Sequence, residues 1–421
     1  MKPSSTPSLF LSLLVLGTAP AAEILTVGSS GSGADFTDIQ PAVDAALPGD
    51  TIRILAGSYT GFTVGKPLTI QGAGSDQCFV ETVFVGFPRT VIEVDGLASG
   101  TLVISGLEVD PTFSIWLPAI TVSDSAGTVV LHDVVLEEPA DRKFLHVEGP
   151  TDLVLSHFTA HGTTVVPNAG AYFLVSVLEG NAWIIDSSIV NEDETPAWLN
   201  NDFGALELSQ SDAYIYGTSV DGRDLEPGGL AHWGGDGIWS HASTLFLSRT
   251  TVTGGDAAGS YEGGYAARLS GASVATLLPD TSLEGGLGVG GVQDPLLLEG
   301  ESQVVRAASA APGLSVTESL LEPGDTLEFS LTGPALAPGR LFVALQSGTP
   351  TEYPGLAGAL FLPPSLVIDL GNVSLDANGA AQLTATVPDA AGLSGRLAVF
   401  QWVAASGPAL VLSNPAFASF E

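Results

Sequence analysis

The chain of 421 residues has few basic side chains: 12 Lys and Arg stand against 46 Asp and Glu, a formal net charge of −34 at pH 7. Neutralising nucleic acid phosphates requires many Lys and Arg, and anionic lipid headgroups repel an acidic surface. The composition therefore argues against nucleic acid partners and against membrane binding.

Cysteine and long hydrophobic runs are also scarce. The single cysteine, Cys78, excludes an internal disulfide and zinc sites built from several cysteines. Beyond residue 22 no segment approaches the roughly 20 apolar residues of a transmembrane helix. Yet 45% of the residues are hydrophobic, and 51 glycines and 27 prolines are dispersed along the chain. This composition predicts a sizeable core made of many short strands joined by turns.

Residues 1–22 are typical of a signal peptide. Lys2 supplies a positive charge, residues 9–16 form a short apolar run, and Ala19-Pro20-Ala21 resembles a cleavage site. The mature protein is therefore expected to be secreted or extracellular, with cell-surface association left open. Export without disulfides favours a bacterial source.

A short helix and a repeat follow the signal peptide. Phe36, Ile39, Val43 and Leu47 have helical spacing, and the segments TIRILAGSY and LTIQGAG then alternate as strands do. Similar alternating segments recur every 24 to 31 residues: TLVISGLEV from Thr101, TVVLHDVVL from Thr128, DLVLSHFTA from Asp152, AWIIDSSIV from Ala182, AYIYGTSVD from Ala213 and TLFLSRTTV from Thr244. Each follows another short strand, such as VIEVDG or ALELSQ. Coils of this length predict a parallel solenoid whose rungs stack at about 4.8 Å.

The stretch ADFTDIQPAVDAALPGDTIRILAGSYTGFTVGKPLTIQGAG resembles the beginning of many secreted members of the right-handed parallel β-helix, or pectin-lyase-like, superfamily. The resemblance covers roughly residues 27–298 and implies an all-β solenoid whose open end is capped by the short helix. Because the same beginning occurs on lyases, hydrolases, esterases and proteins without known activity, it implies no particular reaction. The alternative, a β-sandwich of hairpins, is disfavoured because few Asn-Gly or Asp-Gly turns join the strands.

The C-terminal part has a different pattern. The alanine-rich segment VVRAASAAPG near residues 304–312 is predicted to be a linker. Seven short alternating segments follow, which favours an antiparallel β-sandwich that resembles the accessory C-terminal domains of large secreted bacterial proteins. The predicted organisation is a signal peptide at 1–22, a parallel β-helix at 23–307 and a C-terminal β-sandwich domain at 308–421.

Three coils contain long polar loops, at residues 191–203, 221–236 and 254–264. Insertions at one corner of successive coils lie side by side, so these loops should form a wall of a groove. Asp202, Asp236 and Glu262 each precede the first strand of a coil, and coil stacking predicts separations of about 5 to 10 Å. Glycosidases use carboxylate pairs at about 5 to 9.5 Å. Asp236 paired with Asp202 or Glu262 is therefore the catalytic hypothesis, although acids at corners are often only turn formers.

Aromatic and hydrogen-bonding residues accompany these acids and are the candidates for binding sugar rings: Trp198, Arg223, His232, Trp233, Trp239, His241, Tyr261 and Arg268. Trp239 has the alternative of packing in the core. A β-eliminating lyase would use a basic residue such as Arg223, Arg268 or the pair Arg142-Lys143. A chain this acidic repels polyuronate unless calcium bridges the two.

Calcium is the one cofactor that the sequence suggests, with Asp221, Asp224 and Asp236 as oxygen ligands. No EF-hand loop is present, and His232 and His241 lack the HExxH spacing of a zinc site. The glycine-rich GGLGVGG lacks the Lys-Ser/Thr ending of a phosphate loop. Of the motifs of the polygalacturonase-like branch (Asn-x-Asp, an adjacent Asp pair, Gly-His-Gly and Arg-x-Lys), only the Asp-Gly fragment in Gly235-Asp236-Gly237 is present. The sequence therefore does not support the constellation of that branch.

Two functions are compatible with these observations. The first is binding of an extracellular glycan in the loop-walled groove, with cleavage by a polysaccharide lyase or glycoside hydrolase mechanism left open. The second is a non-catalytic structural or adhesive protein that contacts a cell-surface component.

Overall fold

The structure is a computed structural model. It describes the following residues: 23–82, 90–110, 117–137, 144–162, 173–191, 204–222, 234–257, 262–307, 312–316, 320–322, 324–345, 351–352, 356–357, 359–362, 367–387, 397–406 and 409–420.

The described residues from 23 to 307 form a parallel β-helix. Equivalent strands of successive coils pair in parallel, so that Thr101 is in register with Thr128, and Thr128 with Asp152. The next coils are in register from Asn181 and Asp212, one residue earlier than the repeat in the sequence indicates. The strands of the 18-stranded and nine-stranded sheets all pair in parallel, which confirms the predicted solenoid, and the alternative of a sandwich of hairpins is wrong here.

Each coil has three faces, which we call face 1, face 2 and face 3. Faces 1 and 2 belong to one 18-stranded sheet, and face 3 is a nine-stranded sheet. The strands of face 1 are Ile24–Val27, Thr51–Ile54, Thr69–Gly72, Thr101–Asp110, Thr128–Glu137, Asp152–Ser156, Asn181–Ile185, Asp212–Tyr216, Thr244–Ser248, Val274–Leu277 and Gln303–Arg306. Face 2 contains the ends of Thr101–Asp110 and Thr128–Glu137 together with Gly57–Thr60, Cys78–Glu81, Thr159–Gly162, Ser188–Asn191, Ser219–Asp221, Thr251–Thr253 and Ser282–Glu284. Face 3 consists of Phe62–Val64, Ile92–Asp95, Ile120–Ser123, Leu145–Glu148, Phe173–Leu178, Gly204–Ser209, Asp236–His241, Ala267–Ser270 and Leu296–Leu298.

Alternation along each strand builds the core of the β-helix. In Ile120–Ser123, the side chains of Ile120 and Val122 are fully buried, whereas Thr121 and Ser123 are half-buried on the outside. Because successive side chains of a strand point to opposite faces, the apolar half fills the inside of every coil. One hydrophobic cluster extends from Val27 to Leu277 through the interior.

The bend between face 1 and face 2 is made by residues with positive φ. Asp133, His157, Asp186, Gly217 and Arg249 occupy this corner in successive coils, with φ between 46° and 58°. Glycine adopts this left-handed conformation at little cost, Asp and His adopt it more often than most other residues, and it is uncommon for Arg. In these five coils four of the corner residues are charged or titratable.

The helix Ile39–Ala45 lies near the first coils. Asp38 caps its N-terminus, with Oδ1 accepting hydrogen bonds from Ile39 N at 2.9 Å and Thr60 N at 3.1 Å. Ile39, Ala42 and Val43 are buried in the same cluster as the strands. Among the described residues, no helix is long and apolar enough to cross a membrane.

The described residues from 312 to 420, here called the C-terminal unit, form mainly antiparallel sheets. One sheet has three strands, Gly313–Val316, Thr326–Thr332 and Ala380–Thr386. A second has seven: Leu320–Leu321, Pro338–Ala344, Leu356–Ala357, Ile368–Ser374, Leu397–Ser406, Ala409–Leu412 and Ala416–Phe420. The small strands Thr351–Glu352 and Ala359–Leu360 pair with each other. Both larger sheets contribute to one core around Phe329, Phe400 and Trp402. Part of the predicted linker, residues 304–306, instead belongs to the last strand of face 1.

The C-terminal unit packs against the outside of face 1. Val130, Val154 and Trp183 of face 1 share a buried cluster with Phe361 and Phe417 of the C-terminal unit. Gln71 of the β-helix also donates a hydrogen bond from Nε2 to the carbonyl oxygen of Phe420 at 3.1 Å. The apolar outer side of face 1 is thereby removed from solvent.

Candidate functional site

The predicted site residues divide into two groups. Seven lie outside the described residues: Trp198, Asp202, Arg223, Asp224, His232, Trp233 and Tyr261. The other six are described: Asp221, Asp236, Trp239, His241, Glu262 and Arg268. Of these, Asp236, Trp239, His241 and Arg268 belong to neighbouring strands of face 3.

A row of outward side chains crosses face 3. Strand register aligns Ser176 with Glu207, Glu207 with Trp239, and Trp239 with Arg268. Leu206, Leu208 and Ile238 flank this row in sequence and are fully buried inside the coils, so the row itself projects outward. Trp239 is half-buried on this outer surface and is not a core residue.

Hydrogen bonds and an ion pair fix several of these side chains. Ser176 Oγ donates to Glu207 Oε2 at 2.6 Å, and Arg268 Nη2 lies 3.1 Å from Glu299 Oε1. In the adjacent row, His241 Nδ1 and Ser270 Oγ are 3.1 Å apart. A side chain that is already fixed by such contacts loses little rotamer freedom when a ligand binds, which favours ligand binding.

Aromatic rings lie beside this polar row. Phe173 and Trp239 are nearly parallel, with centroids 5.7 Å apart and an interplanar angle of 10°. His241 follows at 6.3 Å and 30° from Trp239. Gly204 lies beneath the Phe173 ring, and a Cβ there would come within 2.3 Å of Phe173 Cε1. A glycine at this position therefore permits the aromatic row.

Two of the acids proposed for catalysis, Asp236 and Glu262, lie at the corner where face 3 begins. Asp236 Oδ1 accepts a hydrogen bond from Tyr265 N at 3.0 Å, so one carboxylate oxygen supports the neighbouring coil. Glu262 has an exposed side chain, and its carbonyl oxygen accepts from Gly234 N at 3.1 Å. The backbone segments next to Asp236 and Glu262 are thus adjacent, and a catalytic role for the two carboxylates stays a prediction.

At this corner, glycines of neighbouring coils make close backbone contacts with one another. Gly255 N donates to Gly235 O, and Gly264 N donates to Gly255 O, both at 2.8 Å. A Cβ on Gly234 would lie 1.8 Å from Gly255 O, and a Cβ on Gly254 would lie 2.1 Å from Gly264 O. Only glycine allows backbones to approach so closely. The glycines at 234–235, 254–255 and 264 therefore hold neighbouring coils in close backbone contact at this corner.

A short antiparallel hairpin lies next to these glycines. Leu287–Gly288 and Gly291–Val292 pair as antiparallel strands, and Gly286 N donates to Gly264 O at 2.9 Å. The GGLGVGG segment is therefore part of a hairpin. Its resemblance to a phosphate loop is superficial, because the Lys-Ser/Thr ending is missing.

The acidic residues proposed for calcium are not assembled in the described part of the chain. No group of three or more His, Cys, Asp or Glu among the described residues is arranged to hold a metal ion. Asp221 Oδ2 accepts a hydrogen bond from Ser219 Oγ at 3.1 Å. Because Asp224 lies outside the described residues, the predicted calcium site stays a prediction.

Sequence reasoning missed Phe173, Ser176 and Glu207, which the structure places beside Trp239. These residues lie in the first strand of each coil rather than in the long loops. Aligning FLVSVL, GALELS and GIWSHAS by their buried positions would have placed Ser176, Glu207 and Trp239 at the same outward position.

No protein-family model and no curated protein matches this sequence. Among solved structures, the enzymatically active domain of bacteriophage CBA120 tailspike protein 2 is similar with a TM-score of 0.41 and 10% identity, over 87% of this chain and 70% of that chain. A pectin methylesterase in complex with hexasaccharide VII is similar with a TM-score of 0.32 and 14% identity, over 69% of this chain and 94% of that chain. TM-scores this low carry no functional argument, and the fold rests on the strand register.

Proposed function

We propose that the protein binds a polysaccharide along the outer surface of face 3, beside the loops that include residues 192–203, 223–233 and 258–261. The observation that carries this proposal is the in-register row Glu207, Trp239 and Arg268 on three successive coils, in which the fully buried Ser176 of the preceding coil holds Glu207 by a hydrogen bond. Such a row repeats binding groups along the axis of the β-helix, as an extended polymer requires.

The chemistry of the row suits sugars. The Trp239 indole offers an apolar surface for the C–H face of a sugar ring, and the oriented Glu207 carboxylate and Arg268 guanidinium offer partners for hydroxyl groups. Successive strands are about 4.8 Å apart, so neighbouring coils contact neighbouring parts of one glycan chain.

Cleavage is a further part of the proposal. Asp236 with Asp202 or Glu262 would serve as the acid and base pair of a glycoside hydrolase. Reducing-sugar release from a glycan panel, lost in Asp236→Asn while the circular dichroism spectrum is kept, tests this step. Release that is unchanged in Asp236→Asn removes this residue from the mechanism.

Binding is tested by affinity electrophoresis and calorimetry with a panel of soluble polysaccharides. Trp239→Ala is expected to weaken binding about fivefold, since a stacked aromatic contact contributes roughly 1 kcal/mol. Asp212→Asn, an exposed residue of face 1, is the control and should bind as the wild type does. Equal affinity of Trp239→Ala and wild type for every bound glycan would remove face 3 as the site.

The alternative function is that of a non-catalytic adhesive or structural protein. The buried contact between face 1 and the C-terminal unit favours it, because this contact makes a two-part body with little freedom between its parts. Glycan binding that persists without turnover in every assay would support it.

For either function we propose the same organisation of the chain. The helix Ile39–Ala45 caps the β-helix, the C-terminal unit is a β-sandwich, and residues 1–22 direct secretion from a bacterial cell.

A further inference from the structure

The outer side of the seven-stranded sheet in the C-terminal unit is apolar beyond its contact with face 1. Alternate residues of the strand Leu397–Ser406 project from this side. Leu397 and Val399 lie in the buried cluster that the two units share, whereas Val403 and Ala405 are only half-buried. In an antiparallel sheet, side chains that face water are usually polar. The apolar surface of the interface therefore continues onto a part of the sheet that is not buried against face 1.

This continuation is a groove with a volume of about 580 Å³. Val403, Ala405 and Leu410 line it, and Leu410 is 50% exposed. Phe342 and Leu360 line it as well, and both pack against the buried cluster between the two units. The groove is thus continuous with an existing interface, and its volume lies within the range of about 300 to 1,000 Å³ that small-molecule sites have.

Among the described residues, Arg340 is the single charged residue that lines the groove, and it is already paired. Its Nη1 lies 3.0 Å from Asp369 Oδ2, and its Nε donates a hydrogen bond to Asn372 Oδ1 at 3.0 Å. The Asn372 side chain also lines the groove, and its Nδ2 group is a hydrogen-bond donor. These contacts favour a ligand that carries no charge and has an oxygen that can accept a hydrogen bond.

We propose that the groove binds an uncharged lipid-like molecule, made of a hydrocarbon chain and one alcohol or ester group. A chain bound along Val403 and Leu410 removes apolar surface of both partners from water, and its oxygen accepts a hydrogen bond from Asn372 Nδ2. A second copy of the protein is a less favourable occupant, because each chain carries a formal charge of −34 and two copies repel each other. This site is separate from face 3 and does not depend on polysaccharide binding.

Binding is measured on the full chain with N-phenyl-1-naphthylamine, an uncharged probe whose fluorescence rises in apolar surroundings. A saturable rise with one probe per chain is expected. Displacement by 1-dodecanol should be at least about tenfold more effective than displacement by dodecanoate, which is ionised at neutral pH, because a carboxylate loses hydration in an apolar groove. Equal or more effective displacement by dodecanoate would overturn the choice of an uncharged ligand, and the absence of saturable binding would overturn the site.

A pair of matched variants locates the probe. Leu410→Asp places a carboxylate in the groove and is expected to weaken probe binding at least about tenfold. Leu336→Asp is the control, because Leu336 is 69% exposed in the same unit and does not line the groove. Its φ of 59° is a conformation that Asp tolerates, so this variant should fold and bind as the wild type does. Equal affinity of the two variants would overturn the inference.

Ala405→Phe tests the same site without adding a charge. The larger side chain fills part of the groove and should weaken probe binding at least about tenfold, while the circular dichroism spectrum is kept. Unchanged binding in this variant would overturn the site. Sedimentation velocity examines the other occupant: a wild-type dimer that dissociates when the probe binds, and that is absent in Leu410→Asp, would show a second copy in the groove and would overturn the lipid-like ligand.

Discussion

The indole ring of Trp183 meets the phenyl ring of Phe361 edge-on, with centroids 5.6 Å apart and ring planes at 87°. Trp183 projects from face 1 of the β-helix and Phe361 from the C-terminal unit, and only 4% and 1% of these residues is exposed. Tyr214 of the next coil stacks on Trp183 at 5.8 Å with an interplanar angle of 1°. A ladder of aromatic rings thus joins the two parts of the chain.

Replacing Trp183 by Ala is expected to lower the free energy of unfolding by about 3 to 5 kcal/mol, because a large buried aromatic side chain is lost and a cavity remains. Urea denaturation followed by fluorescence measures the loss. Trp239→Ala removes an equal volume from the half-buried outer surface of face 3 and should cost much less. Equal losses in the two variants would contradict the anchoring role of Trp183.

The contact between the two rings can be isolated by a double-mutant cycle. Trp183→Ala and Phe361→Ala together should destabilise the protein less than the sum of the single changes, with a coupling of about 0.5 to 1.5 kcal/mol. Urea denaturation of the four proteins provides the coupling energy. Strict additivity would show that the rings do not interact in solution.

A further prediction concerns the closely packed glycines at the corner where face 3 begins. A Cβ on Gly264 would lie 2.0 Å from Gly235 O, so Gly264→Ala must displace backbone and should destabilise the fold by about 1 to 3 kcal/mol or more. Gly290 belongs to the neighbouring hairpin and has open space around a Cβ. Thermal melting should show a lower Tm for Gly264→Ala and nearly no change for Gly290→Ala.

The charged corner between faces 1 and 2 makes stability depend on pH. Burial raises the pKa of Asp186 above 3.8, and the positive charges of His157 and Arg249 oppose this rise without cancelling it. A carboxyl group whose pKa is raised by folding contributes stability below about pH 3.8, and that contribution is lost as the pH rises through the raised pKa. Asp186→Asn should therefore gain stability relative to the wild type between pH 4 and pH 7, in urea denaturation at each pH.

The pKa of Asp376 is shifted in the opposite direction to that of Asp186. Hydrogen bonds from Ala380 N at 2.9 Å and Asn378 N at 2.8 Å lower the pKa of this exposed carboxyl group. The ionised Asp376 carboxylate therefore stabilises the folded protein at neutral pH, and this stabilisation is lost as the pH falls through the lowered pKa. Asp376→Asn should therefore be less stable than the wild type at pH 7 and equal to it in acid. The same sign for both Asn variants would contradict the assignment.

The N-cap of the helix gives a further prediction. Asp38 accepts hydrogen bonds from both Ile39 N and Thr60 N, so it ties the helix to the strand Gly57–Thr60. Asp38→Ala should cost about 1 to 2 kcal/mol, measured by urea denaturation. Asp38→Asn retains an acceptor and should recover most of this loss. If Asp38→Asn is as unstable as Asp38→Ala, the hydrogen bonds are not the cause.

Much of the fold was predictable because its signals are local and repeated. Alternation in TVVLHDVVL and its equivalents predicts strands, and their recurrence predicts coils that pair in parallel, as Thr101 and Thr128 do. The bend inside these segments was not predicted. Its left-handed residues, Asp133, His157 and Asp186, are of types that adopt positive φ more often than most but far less often than glycine, so they mark the bend only weakly.

The candidate site was only partly predictable. Trp239, His241 and Arg268, which the sequence analysis proposes for binding, lie together on face 3, and their binding role stays a prediction. Glu207 and Ser176 were missed because a single polar residue in a strand is usually only a solvated position. Their significance comes from register with Trp239 across coils separated by about thirty residues of chain, which no local pattern contains.

The sequence alone determined the alternation, the repeat and the excess of acidic charge, because each depends on residue type and spacing along one stretch of chain. The tertiary structure decided which outward surfaces meet. Face 1 and the C-terminal unit bury Trp183 against Phe361, while face 3 leaves Glu207 and Trp239 on the outside. Contacts of this kind depend on the packing of distant segments, whose hydrophobic surfaces are matched only once both have folded.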